Sequence, residues 1–257
     1  MPTALGRFAT ARLFERPMNY SYLDVSKMID HSLLNPTLTW EQLDAGIDLA
    51  LAYDVASVCI LPYALPHLTR RLAGSTVKTS STIGFPHGGH TTEIKVAEAR
   101  QAIEDGCQEL DMVVNISKVL SGDWEFVKID IGSVITVAHD AGQKVKVIFE
   151  NAYLNDAQKI QLCEICGELE ADWVKTSTGY APSGATIEDL KLMRAHSPAS
   201  VQVKAAGGVR TLDTLLEVRA LGVTRCGASA TAVMLDEARV RLGLPPIDVA
   251  KTFVAGY

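Results

Sequence analysis

Lys175 and Lys204 stand inside runs that otherwise read as buried strands, Trp173-Val174-Lys175-Thr176-Ser177 and Val201-Gln202-Val203-Lys204-Ala205. A strand covered on both faces is a nearly continuous apolar run, and an ammonium there loses its hydration unless a partner or a polar cavity receives it. An amine in a poorly hydrated site beside a second cation has its pKa pushed down. It is then neutral near pH 7 and attacks a carbonyl to form a Schiff base. Asp30, Cys59, Asp111 and Lys146 fall in comparable apolar runs. Each alone also has a structural reading: Lys146 with Glu150 or Asp111 as a buried pair reads equally as structure or catalytic support, and Asp30 reads as structural or substrate-orienting ahead of direct chemistry. The two lysines together favour chemistry, because like charges on neighbouring strands repel.

The elements that must hold these residues alternate along the chain. Strand-like runs cover residues 28–33, 55–61, 77–84, 109–114, 145–149, 173–177, 201–205 and 224–228. Helix-like stretches lie between them, including 91–105 with Ile94, Val96, Ala97 and Ile103 as its apolar positions, and 211–221 with Leu212, Leu215, Leu216 and Val218. Thr39 and Thr186 each precede an acid or amide by three residues, a helix-start pattern, and Gly106, Gly142 and Gly222 fall where helices stop. Eight such units without a linker predict one (β/α)8 barrel, with its chemistry at the C-terminal ends of the strands. The competing doubly wound open sheet wants a Gly-rich turn after the first strand, and 30–36 has none.

The barrel is expected over residues 21–250, after a loosely ordered extension at 1–20 and before a flexible tail at 251–257. Gly207-Gly208 after the seventh run and Gly227-Ala228-Ser229 after the eighth offer bare backbone amides at helix starts, where anions bind. In this class of barrel the loops after strands 7 and 8 are a frequent phosphate site, so a small phosphorylated ligand is expected.

Composition excludes several other classes. The chain has 257 residues, 47% of them hydrophobic, and a formal charge of −6. It carries no basic footprint for nucleic acid and no apolar run long enough for a bilayer. A soluble cytoplasmic protein acting on a small molecule is expected. Arg7, Arg12 and Arg16 with the single acid Glu15 faintly suggest a transit peptide, against which the stretch is short. Five scattered cysteines argue against a disulfide framework. Cys163 and Cys166 share helical spacing with Ile160, which favours packing over a redox pair. His87 and His90 are too few for a metal site.

Seven blocks carry a resemblance: 30–34 (Asp-His-Ser-Leu-Leu), 58–62 (Val-Cys-Ile-Leu-Pro), 84–88 (Gly-Phe-Pro-His-Gly), 109–113 (Glu-Leu-Asp-Met-Val), 175–179 (Lys-Thr-Ser-Thr-Gly), 204–210 (Lys-Ala-Ala-Gly-Gly-Val-Arg) and 227–229 (Gly-Ala-Ser). Together, in this order, they resemble the deoxyribose-phosphate aldolases. That resemblance implies a class I aldolase that reversibly cleaves 2-deoxyribose 5-phosphate to acetaldehyde and glyceraldehyde 3-phosphate, in deoxyribonucleotide catabolism, with no metal or other cofactor. It makes Lys175 the Schiff-base lysine, Lys204 the neighbour that lowers its pKa and helps move protons, and Asp111 part of the proton relay. Asp30, Cys59, Lys146 and Thr178 then line the substrate site, and Gly179, Gly207, Gly208, Gly227, Ala228 and Ser229 the phosphate. The terminal Tyr257 matches a tyrosine thought to assist the proton step in some members. A homo-oligomer, a dimer first, is expected.

The chain departs from the family pattern at three places. Ala205 replaces a proline, Tyr180 stands where some members have lysine, and Ala230 where some have a second serine. The last two remove phosphate-binding capacity, which leaves open an aldolase with an unphosphorylated acceptor. A catalytically silent sugar-phosphate-binding barrel is the alternative of another class.

Overall fold

Each apolar run pairs in parallel with the one before it, and the last closes on the first. The computed structural model of the chain describes residues 19–249. The expectations for the first twenty residues and the tail, with Arg7, Arg12, Glu15, Arg16 and Tyr257, lie outside the described residues or, at residues 19–20, at their edge.

The strands are β1 (Ile29–Leu33), β2 (Ser57–Ile60), β3 (Lys78–Ile83), β4 (Glu109–Val113), β5 (Lys144–Ile148), β6 (Trp173–Lys175), β7 (Gln202–Ala206) and β8 (Val223–Ala228), forming a closed barrel in sequence order. The helices are α1 (Tyr22–Ser26), α2 (Trp40–Ala52), α3 (Leu65–Leu72), α4 (Thr92–Glu104), α5 (Ile116–Leu120), α6 (Trp124–Asp140), α7 (Asp156–Glu168), α8 (Ile187–His196), α9 (Leu212–Ala220) and α10 (Thr231–Arg241). This is the (β/α)8 barrel expected from the alternation.

Capping fixes where several helices begin. The Thr39 hydroxyl accepts from the Gln42 amide while the Gln42 side chain accepts from the Thr39 amide, and Thr186 accepts from Asp189. Gly106, Gly142 and Gly222 each adopt positive φ just past a helix, as a helix stop requires.

Alternate strand residues face the helices and the barrel axis. Leu110, Met112, Val145, Val147, Val174 and Val203 belong to the buried apolar shell shared with the helices. The intervening positions, among them Asp111, Lys146, Lys175 and Lys204, face the axis, where they contact one another. The five cysteines are free and buried, Cys163 and Cys166 packing from α7.

The apolar face of α4 is not the one its spacing suggests. Ile94 and Ala97 are exposed, and the buried positions are Lys95, Ala99 and Ala102. Small residues and one lysine face inward because that lysine has a partner waiting. Lys95 Nζ lies 2.5 Å from Asp130 of α6 and donates to the Val113 carbonyl at 2.9 Å, with both charged groups fully buried. A buried charge is tolerated on such terms, whereas a helical-period count treats every lysine as solvent-facing.

Candidate active site

The register of the sheet sets lysine beside lysine. Lys175 of β6 pairs with Lys204 of β7, and Asp111 of β4 pairs with Lys146 of β5. Neighbouring residues in a parallel sheet point to the same side, so all four charges meet in the interior. Lys175 is the last residue of β6, at the C-terminal end where this class of barrel puts its chemistry, whereas Asp30, Cys59, Asp111 and Lys146 lie within their strands.

Asp111 is the hub. Its Oδ2 accepts from Lys175 Nζ at 2.6 Å and from Lys204 Nζ at 2.7 Å, while its Oδ1 accepts from Lys146 Nζ at 3.0 Å and from Ser80 Oγ at 3.3 Å. Asp30 holds Lys204 at 2.6 Å and Lys146 at 3.2 Å, and Glu109 holds Lys146 at 2.6 Å. Arg225 of β8 reaches Asp30 at 2.6 Å and Glu109 at 2.8 and 3.0 Å.

Protonation follows from these contacts. Burial pulls the Lys175 pKa below the ordinary lysine value; Asp111 opposes that and the Lys204 ammonium adds to it. Burial also acts on Lys204, but Asp111 and Asp30 outweigh it and raise its pKa. Lys146 is held far above the usual range, since burial is outweighed there by Asp111, Asp30 and Glu109. For Asp111, burial works against ionisation, yet Lys146, Lys175 and Lys204 keep it a carboxylate. The site therefore holds one amine disposed to be neutral beside one disposed to stay charged. Burial is the larger cause of the lowering at Lys175 and the Lys204 ammonium the smaller, the two causes expected of an amine in a poorly hydrated site beside a second cation.

A cavity of about 360 Å³ opens above the cluster. Lys175 and Lys204 form its floor with Asp30 and Cys59. Thr178, Gly179, Gly207, Gly208, Gly227, Ala228 and Ser229 also line it. Asp111 and Lys146 are fully buried and stand outside that lining. The glycine turns after β7 and β8 thus open onto one cavity, with Gly207 and Gly208 in the left-handed region that a side chain disfavours. His87 and His90 lie exposed on the loop after β3, and among the described residues no three metal-ligating side chains gather.

Four residues at the site take roles that the sequence does not assign to them. Arg225 and Glu109 complete the buried ionic cluster. Arg210 joins the cavity wall beside the Gly207-Gly208 turn as an exposed cation. Glu150, just past β5 and at positive φ, accepts from the Thr178 amide at 3.2 Å and from the Thr178 hydroxyl, which pins the turn after β6. The Tyr180 hydroxyl donates to the Leu34 carbonyl at 2.7 Å and its ring meets Phe85 edge-on at 5.5 Å, so it ties together the loops after β1, β3 and β6. The period-two rule was the available signal: Glu109 precedes Asp111 by two residues, and Arg225 precedes Gly227 by two.

Known proteins are similar to this chain in sequence and in fold. Residues 25–229 match the family described as DeoC/LacD family aldolase. A protein of Rhodopirellula baltica named deoxyribose-phosphate aldolase is 68% identical over 239 residues, covering 93% of this chain and 99% of the relative. One of the same name from Thermococcus gammatolerans is 45% identical over 84% of this chain and 97% of its own length. Among solved structures, the tetrameric deoxyribose phosphate aldolase from Aeropyrum pernix superposes with a TM-score of 0.79 at 29% identity, over 85% of this chain and 92% of that one.

Proposed function

The chain belongs to the DeoC/LacD family of aldolases, and from that membership we propose that its buried lysine cluster performs class I aldol cleavage of 2-deoxyribose 5-phosphate. The products are acetaldehyde and glyceraldehyde 3-phosphate, and the reaction is reversible. The observation that carries this reading is the placement of Lys175 Nζ at the floor of the cavity, 2.6 Å from a carboxylate oxygen it shares with Lys204.

Neutral Lys175 attacks C1 of the open-chain sugar, and loss of water from the carbinolamine leaves a protonated imine. The C3 hydroxyl gives up its proton as the C2–C3 bond breaks. The bond's electron pair moves into the imine to form an enamine, and glyceraldehyde 3-phosphate departs. Protonation of the enamine at C2 restores an imine, and water releases acetaldehyde and regenerates the amine. Lys204 and Asp111 are the groups placed to carry protons in these steps. Asp30 and Cys59 shape the floor, Lys146 fixes Asp111 from below, and Thr178 shapes the wall.

The phosphate is assigned to the backbone amides of Gly179, Gly208, Ala228 and Ser229, with Arg210 at the rim. Arg210 favours the phosphorylated substrate over an unphosphorylated acceptor, although Tyr180 supplies no cation. The enzyme is read as cytoplasmic, acting in deoxyribonucleotide catabolism, and as a homo-oligomer, a dimer first. No helix among the described residues is long and apolar enough to cross a membrane.

Borohydride reduction in the presence of acetaldehyde, followed by mass mapping of peptides, tests the imine. The expected result is a reduced two-carbon adduct on Lys175. Its absence, or an adduct on Lys146 or Lys204 instead, overturns the assignment.

A further inference from the structure

The axis of the barrel holds more positive than negative charge. Among the described residues the connected cluster contains four cations, Lys146, Lys175, Lys204 and Arg225, against three carboxylates, Asp30, Glu109 and Asp111. A buried cluster with one charge to spare releases its surplus proton from the base held by the fewest carboxylates. Lys146 touches all three acids. Lys204 touches Asp30 and Asp111, and Arg225 touches Asp30 and Glu109. Lys175 touches Asp111 alone, on the same oxygen that Lys204 uses.

The place of Arg225 in this set depends on an irregularity in the sheet. Val203 pairs with Val223, but the next residue of β7, Lys204, pairs with Arg225, so Thr224 is skipped. A bulge re-aims a strand by one position, and here it brings a guanidinium level with Lys204 where a threonine would otherwise stand. The guanidinium lies 5.0 Å from the centre of the Trp173 ring and spans Asp30 and Glu109, so it shares the two carboxylates that also hold Lys146 and, at Asp30, Lys204.

Resting on the imine reading above, we propose that Arg225 is a positioning residue: by occupying Asp30 and Glu109 and supplying the surplus positive charge, it makes Lys175 the neutral nucleophile of the cluster. The groups that act on Lys175 are Cys59 from β2, Asp111 from β4, Glu150 just beyond β5 and Lys204 from β7, while Asp30 from β1 and Lys146 from β5 touch Lys204 or Asp111 beside it. Glu109 and Arg225 act through them. Arginine is the residue for this task because its proton is not lost, so the surplus falls on a lysine.

Counting charges gives a test that a purely structural role for Arg225 would not satisfy. The readout is the acid limb of kcat/KM against pH, together with the pH dependence of borohydride-trapped acetaldehyde adduct on Lys175. Arg225→Met leaves three cations against three acids, and the limb is expected to move up by about one pH unit. Glu109→Gln leaves a surplus of two, and the limb moves down. The double variant restores a surplus of one and returns the limb toward wild type. A limb unmoved in Glu109→Gln, or moved the same way in both single variants, overturns the proposal. If Arg225→Met does not fold, Glu109→Gln and the double variant still decide. Absence of the Lys175 adduct in the wild type overturns the imine reading itself. An adduct whose pH dependence ignores the charge count overturns only this inference.

Discussion

Asp111 concentrates the proposed chemistry in one carboxylate, accepting from three lysines and one serine. Asp111→Asn keeps the shape and removes the charge that orients both Lys175 and Lys204. A fall in kcat of about 10²–10⁴-fold is expected, the usual worth of a positioned proton-transfer group. KM should change little, because Asp111 is absent from the cavity lining. Steady-state kinetics on folded variant checks this, and a loss below about tenfold would remove Asp111 from the relay. Lys175, Lys204, Asp30, Asp111 and Lys146 were legible in the sequence because each puts a charge into an apolar run. Arg225 and Glu109 were not. Glu109 opens its strand, where a polar residue reads as the end of a turn, and Arg225 sits in Thr224-Arg225-Cys226-Gly227, too polar to announce a buried strand. The bulge that sets Arg225 beside Lys204 is a property of two strands together, and neither segment encodes it alone.

At the scale of elements, most strands were legible as apolar runs, as fully covered parallel strands are, while the polar β3 and β8 were placed by the alternation of the units around them. Helix starts were legible through their caps, but the inward face of α4 was hidden by the Lys95–Asp130 pair, whose two halves lie on different helices. Contacts between loops were equally silent. Gly184, between β6 and α8, rests against the Gly207 turn after β7, and the Ala185 amide donates to the Gly207 carbonyl at 3.0 Å. A Cβ at Gly184 would stand 2.5 Å from the Gly207 carbonyl carbon, a distance that forces backbone to move. Gly184→Ala is therefore expected to displace the anion-facing amides while leaving Lys175 in place. KM for the phosphorylated sugar should rise by about tenfold, kcat should change less, and stability should fall by about 1–3 kcal/mol. Kinetics with phosphorylated and unphosphorylated deoxyribose check it: an equal loss on both substrates would place the Gly207 turn outside phosphate recognition.

The whole molecule inverts the usual arrangement, with an ionic axis inside the sheet and an apolar shell outside it, and the two respond differently to acid. Asp30 and Asp111 are kept ionised against their burial by the lysines and, for Asp30, by Arg225, so their contribution to stability survives until the pH falls below the ordinary carboxylate range. His31 behaves the other way. It is fully buried on β1, its Nδ1 2.8 Å from the Thr231 hydroxyl at the start of α10, and burial lowers its pKa from 6.5 to about 4. Below pH 6.5 the unfolded chain protonates this histidine and the folded chain does not. The unfolded state binds more protons in that window, so stability falls as the pH drops from 6.5 toward 4 and levels off below it. The gap between the two pKa values corresponds to about 3 kcal/mol. Urea unfolding from pH 7 to 4 should therefore show a loss that precedes titration of the axial carboxylates. His31→Gln, whatever its own stability, should give a flatter curve over that window by about the same amount. A variant curve parallel to wild type would mean that the β1–α10 seam takes up the imidazolium without cost, and that acid acts first on the ionic axis.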